Sequence, residues 1–255
     1  MRPFSLSLGG LVGLAGFLTT PRPWPTEPAL SLAVGTFVVV LAWAAVEQVP
    51  DALDRAVEAR AHWLVGGFGV LPAVAVLAPV LGGRTPDEAT AIRALVFAAA
   101  AVITVVAGTA HYGALLLRRE QIDARITAVE SRWRMVVLRV AASIAPLYVL
   151  SLAVGDVFST GSAVGSLLGI LIGTALTGTD EYELVALDDH LLFRQGDSRG
   201  AAAVPWRRLR SVTVDGDTLR VVRGLPYPTV YVADLSGVED RQAVLEAFRS
   251  YPALH

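Results

Sequence analysis

The chain of 255 residues has no cysteine, and its 21 basic residues are all arginine. Without cysteine there is no disulfide, no thiol nucleophile and no thiolate metal site. The absence of lysine points to a GC-rich coding sequence and says nothing of function. Charge is also scarce, at 17% of residues, where ordinary domains carry about 25%. The net charge of −2 excludes a strongly basic nucleic-acid surface, so no nucleic-acid partner is expected. Familiar catalytic patterns are missing too: H-E-x-x-H, G-x-S-x-G, the phosphate-binding G-x-x-x-x-G-K-[ST], and a Gly-x-Gly-x-x-Gly opening a helix after a strand. No catalytic, cofactor-binding or metal residue is assigned, and nothing supports an enzyme.

What the chain has in excess is apolar surface, 54% of its residues. A membrane span needs about 20 apolar residues. Six runs approach that length, at about 4–20, 29–46, 63–81, 94–117, 135–155 and 160–177. They predict a helical transmembrane domain over 1–178, with about six spans in the cell membrane and the lipid bilayer as partner. The first run, behind Arg2, also has the look of a signal peptide; with no A-x-A site before Pro21 it reads as a retained span. Residues 51–61 are charged and balanced and fit a short surface helix.

Between the fourth and fifth runs, Ile122, Ile126, Val129 and Trp133 recur at steps of 4, 3 and 4. That spacing predicts an amphipathic helix over about 119–134. It either lies on a leaflet or extends the fourth span as a stalk. Arg118, Arg119, Arg125, Arg132 and Arg134 surround it, which places this loop, and by alternation the C-terminal domain, on the cytoplasmic side.

The sixth run carries Gly161, Gly165, Gly169 and Gly173. Residues four apart share a helix face, so these make a groove for close helix packing. The groove serves packing within one chain, homo-oligomerisation, or a moving or pore-lining helix. The polar candidates inside the apolar runs are His111, Tyr112 and Arg139. Structural or interfacial roles are expected for them. A proton path through His111 and Arg139 and a metal site from Glu47, His62 and His111 are the functional alternatives, the second without a convincing ligand spacing.

Composition changes at Thr179. Residues 179–255 alternate short β-rich runs with turns, and Asp215-Gly216 between two such runs signals a hairpin. Val244, Leu245, Phe248 and Tyr251 then recur at helical spacing. Leu191-Leu192-Phe193-Arg194, then Val204-Pro205-Trp206 with Leu209, Ser211 and Val212, then the hairpin and the terminal helix, together resemble the pleckstrin-homology-like (PH-like) domains of bacterial and archaeal membrane proteins. The resemblance implies a small β-rich domain closed by a C-terminal helix, with Pro205 and Trp206 at its key turn. The tail is short for that fold, so strands are missing or are supplied from the membrane junction. Eukaryotic relatives grip phosphoinositides with a basic loop; here the loop at 195–200 offers Arg199 opposed by Asp197. A protein partner at a sheet edge is the better expectation. The chain thus reads as a membrane scaffold or interaction protein, with a transporter or channel using the 161–173 helix as the alternative and a membrane-embedded enzyme behind both.

Overall fold

The computed structural model describes residues 3–19, 28–79, 87–131, 181–196, 198, 200–224, 229–238 and 240–249. The chain divides into two compact units: Met1–Tyr112 with Leu152–Gly155, and Gly113–Ser151 with Asp156–His255.

The first unit is helical. Its described elements are α1 (Pro3–Thr19), α2 (Pro28–Glu47), α3 (Pro50–Glu58), α4 (Ala61–Leu77) and the larger part of α5 (Glu88–Arg119). Proline at the first position of α3 suits a helix start, since the missing N–H has no partner there. Proline also pushes the residue before it out of the helical region. Val49 accordingly sits at φ −122°, and the chain turns by 83° between α2 and α3. Leu53 and Val57 are buried on one face of α3, Asp51 and Arg55 are exposed, and Asp54 and Glu58 are half-buried.

Glycines set how closely these helices approach. A Cβ added at Gly9 would overlap the Trp43 backbone, and one at Gly13 would meet Val39 Cα at 2.5 Å. Gly9 and Gly13 are four apart, as are Trp43 and Val39, so α1 and α2 pack antiparallel through a glycine stripe. Gly66 and Gly69 of α4 face Val105 and Ala101 of α5 in the same way, and Gly108 receives the His62 side chain. The buried Thr104 hydroxyl lies 2.9 Å from Ala100 O and 3.2 Å from Ser7 O.

The structure overturns the expected six-span membrane domain. Among the described residues one helix, Thr90–Arg119, is long and apolar enough to cross a membrane; the bent α2–α3 pair would be a second only if counted as one span. Pro3–Phe17 and Ala61–Val76 are shorter apolar helices. An apolar run of hydropathy alone does not separate a span from a short packed helix, and Pro50 and the αL residue Arg60 (φ 59°) break the chain into short pieces here. The multi-pass cell-membrane location, with its cytoplasmic C-terminal domain, falls with the six spans. The expected fifth and sixth spans, and with them Gly161, Gly165, Gly169, Gly173 and Arg139, lie outside the described residues.

The second unit is a seven-stranded antiparallel sheet. Its strands are β1 (Ala124–Glu130), β2 (Glu181–Ala186), β3 (His190–Gln195), β4 (Ala202–Pro205), β5 (Leu209–Asp215), β6 (Thr218–Arg223) and β7 (Val230–Asp234), and α6 (Arg241–Arg249) follows. The strand order is β4-β3-β2-β1-β7-β6-β5. One core takes Val204 from β4, Val212 from β5, and Val244 and Phe248 from α6. Because both ends of the strand order feed that core, the sheet curls around it and α6 plugs it.

The expected amphipathic helix over about 119–134 is therefore wrong: its centre is strand β1. Ala124, Ile126, Ala128 and Glu130 are buried in strict alternation with exposed Arg125, Thr127 and Val129, the period of a strand with one covered face. β1 is thus a member of the same sheet as the strands of the tail, between β2 and β7. The last turns of α5 belong to this unit and cover the other face of β2 and β3: Leu116, Leu117 and Ile122 pack on Val185, Leu187 and Leu192. Burial on both faces suits the adjacent apolar residues Leu184-Val185-Ala186 of β2 and Leu191-Leu192-Phe193 of β3.

The glycine stripe gives a paired prediction. Gly13→Ala forces a methyl against Val39 and should destabilise by about 1–3 kcal/mol. Gly10 has open space around its added Cβ, so Gly10→Ala should gain up to about 1 kcal/mol from helix propensity. Denaturant unfolding of the purified full chain reads both; equal effects at the two positions would refute packing through the stripe.

Candidate functional site

A polar cluster among the described residues of the helical unit gathers residues far apart in sequence. His111 on α5 places Nε2 2.7 Å from Asp54 Oδ1 on α3, and the two side chains are 10% and 19% exposed. Phe4 of α1 stacks on the His111 ring, with centroids 5.9 Å apart. Next to Phe4, the buried Ser5 hydroxyl donates to the Glu47 carboxylate in a short hydrogen bond. The Arg60 guanidinium lies over the Tyr112 ring at 5.6 Å, and Arg60 itself holds a left-handed φ of 59° in the turn from α3 to α4.

His62 is buried two residues further on, and its Nδ1 has no hydrogen-bond partner among the described residues. Burial, and secondarily the Arg60 charge, hold its imidazole below the ordinary histidine value. The His111 ring and the Asp54 carboxylate share a hydrogen bond between α5 and α3. The arrangement does not form a Ser-His-Asp relay, because Ser5 donates to Glu47 rather than to His111. Nor, among the described residues, is any group of three His, Cys, Asp or Glu side chains placed to hold a metal ion. His111 and Tyr112 are thus each in a specific contact, with Asp54 and Arg60.

In the sheet unit, Pro205 ends β4, opposite His190, and Trp206 opens a single 3-10 turn. The Trp206 indole donates to Leu187 O at 2.9 Å and meets the Phe248 ring edge-on at 5.6 Å. This turn therefore pins the β2–β3 connection and α6 to one another, which is a structural task. The sheet also opens between β1 and β7, whose pairing is short, at Val129–Val232 and Glu130–Tyr231 with Ser131 N–H donating to Val230 O. Beyond that point a cleft of about 350 Å³ is lined by Arg125, Thr127, Glu183, Asp234 and Val238, among others. Glu183 is held there by Arg125 at 3.5 Å and Arg194 at 3.4 Å.

Sequence reasoning missed Asp54 and Ser5. Asp54 lies 57 residues from His111 on a charged helix that reads as solvated, and no local spacing connects them. It also missed Glu120, whose carboxyl sits above the ordinary range through burial first and the nearby Asp189 and Asp188 charges second. No protein-family model matches the chain, and no curated protein matches it.

The folded-state pKa of His62 lies below the unfolded value of 6.5, so the unfolded chain takes up the proton first as pH falls. Stability is unaffected above about pH 6.5 and declines as pH drops from there through the lowered folded value. His62→Gln should flatten that part of the stability-against-pH curve. Measured by denaturant midpoints across pH 7.5 to 4.5 (a range of about three units around the histidine value), an unchanged slope in the variant would exclude His62 as its source.

Proposed function

We propose that the chain is an interaction protein in which a PH-like sheet unit binds a protein partner and the apolar face of α5 contacts a lipid bilayer. The observation that carries the first part is the free side of β5. It ends the strand order, and no described strand pairs with its outer side. Such an edge presents unpaired main-chain groups that an extended segment of another protein can complete. The curled seven-stranded sheet plugged by a C-terminal helix supports the PH-like reading.

The lipid contact rests on α5. Its best stretch has a mean hydropathy of 2.2, yet Ile103 and Val106 are each 61% exposed. Large side chains left bare on so apolar a helix are costly in water and favourable against acyl chains. This is a claim about one helix. The transporter, channel and enzyme readings have no specific observation in their favour.

Two measurements test the proposal. Proline is tolerated on an edge strand where its nitrogen faces outward, so Val214→Pro should keep the β-rich circular dichroism of the full chain but lose its crosslinked protein partners. Crosslinking mass spectrometry on cells that gave the same partners for both chains would remove the edge-binding reading. In vesicle flotation with phosphatidylcholine, the full chain should float and the Ile103→Asp, Val106→Asp double variant should remain at the bottom. Equal flotation would dismiss α5 as the lipid contact.

A further inference from the structure

We infer that the β5 edge accepts an acidic, extended segment of a partner protein, added as an eighth strand; the inference rests on the sheet unit being a protein-binding module. β5 and β6 are joined by a two-residue turn, Gly216-Asp217, closed by the pair Asp215–Thr218, with Gly216 at φ +56°. In a two-residue hairpin the closing pair exchanges hydrogen bonds, and hydrogen-bonded pairs recur every second residue. Asp215, Thr213 and Ser211 thus bond toward β6. The main-chain groups of Val212 and Val214 face the other way, to the free edge. The register shifts between Leu209 and Ser211, so Arg210 is the extra residue of a bulge at the start of this edge.

Charge then selects the occupant. Arg207, Arg208, Arg210 and Arg220 are all exposed, and none has an ion pair among the described residues. Elsewhere in the unit arginines are engaged: Arg125 and Arg194 with Glu183, Arg241 with Asp217 at 2.7 Å, and Arg223 over the Phe193 ring at 5.5 Å. Of the unit's unpaired guanidiniums among the described residues, Arg118 lies apart on α5, and the other four are gathered on the turn before β5, on β5 and on its neighbour β6, in a chain whose net charge is −2. A strand repeats on one face every two residues, about 6.5–7 Å. Arg207 and Arg208 sit on the 3-10 turn, Arg210 on β5 and Arg220 on β6, a spread over three elements that suits successive carboxylates of an extended chain better than a single phosphate, which requires donors converging on one point. The same charges repel the β5 edge of a second copy, so the edge is closed to self-pairing and open to an acidic strand.

The test uses the full chain and three fluorescent decapeptides. One alternates Glu and Val, one alternates Lys and Val, and one is the acidic peptide with proline in place of every valine. Anisotropy at low salt should show the acidic peptide binding at least about tenfold more tightly than either other peptide. Arg208→Glu with Arg210→Glu should weaken it at least tenfold, and Arg208→Gln with Arg210→Gln should weaken it less, which separates lost charge from lost fold. Equal affinity for acidic and basic peptides, or a charge reversal without effect, overturns the inference. So does displacement of the acidic peptide by equimolar phosphatidylserine–phosphatidylcholine vesicles, which would assign the arginines to lipid. If the charge reversal abolishes peptide binding but keeps the partners that Val214→Pro loses, those partners use the edge without acidic chemistry. The inference then fails while the protein-binding module stands.

Discussion

The sheet unit depends on the pairing of β1 on both sides. β1 is matched to β2 over six positions, from Ala124–Ala186 to Val129–Glu181, and to β7 at two more. Buried main-chain groups must find partners, so the strands before and after β1 in space are each incomplete without it. Yet residues 131–180 separate β1 from β2 in sequence. The centre of the sheet therefore forms only when a distant stretch of chain returns, a closure whose entropy must be met before the contacts repay it. A fragment starting at the composition change near Thr179 would lack its central strand, leaving β2 and β7 with bare edges and the core without Ile126 and Ala128. The tail is thus not a detachable piece, and the chain before it is part of the same sheet.

Close approach plays the corresponding part among the helices. α1 and α2 are apolar nearly all round, so hydrophobicity alone gives them no preferred facing side. Gly9 and Gly13 supply the preference, because only there can the α2 backbone come into contact. The same device recurs where α4 meets α5, and at Gly113 near the end of α5, where an added Cβ would collide with Ala201 O. Glycine-directed packing was expected of the 161–173 stretch; among the described residues it operates at other glycines, four and three residues apart. The polar cluster then sits where helices so directed converge: Ser5 meets Glu47 at the α1–α2 crossing, and His111 reaches Asp54 beyond the bend that Pro50 imposes.

Much of this was legible, and the failures have physical causes. The Asp215-Gly216 turn, the strands around it and the terminal helix follow from turn chemistry and alternation. The four apolar runs before residue 118 coincide with helices, but hydropathy could not say that, among the described residues, one helix reaches spanning length, or two if the bent α2–α3 pair is counted as one span. β1 was read as a helix because its two periods compete. Ile122, Ile126 and Val129 fit a helical step, while the true alternation runs through Ala124, Ala128 and a buried Glu130, which carry almost no hydropathy signal. Both patterns share Ile126. What decides between them is β2, whose edge needs a partner, and no local window of sequence contains it. The His111–Asp54 contact was invisible for the same reason: each residue has a plausible solvated or interfacial reading until the fold brings them together.

The distribution of charge follows from where stability comes from. The sheet is held by its buried core, from Leu184 and Leu191 through Leu219 and Val221 to Phe248, and apolar burial at about 25 cal/mol per Å² dominates such an account. Surface ion pairs contribute roughly 0–1 kcal/mol each. Leaving Arg207, Arg208, Arg210 and Arg220 without partners therefore costs the fold little, whereas pairing them internally would cancel the field they project. Unpaired like charges along an edge raise the encounter rate of an oppositely charged segment and turn away the wrong ones. The Glu183 pairs with Arg125 and Arg194 do the reverse at the β1–β7 cleft, neutralising a carboxylate where the sheet is already open. One opening of the sheet is electrostatically quiet and the other is charged, and the proposed use of the β5 side, rather than the cleft, as a recognition surface rests on that asymmetry.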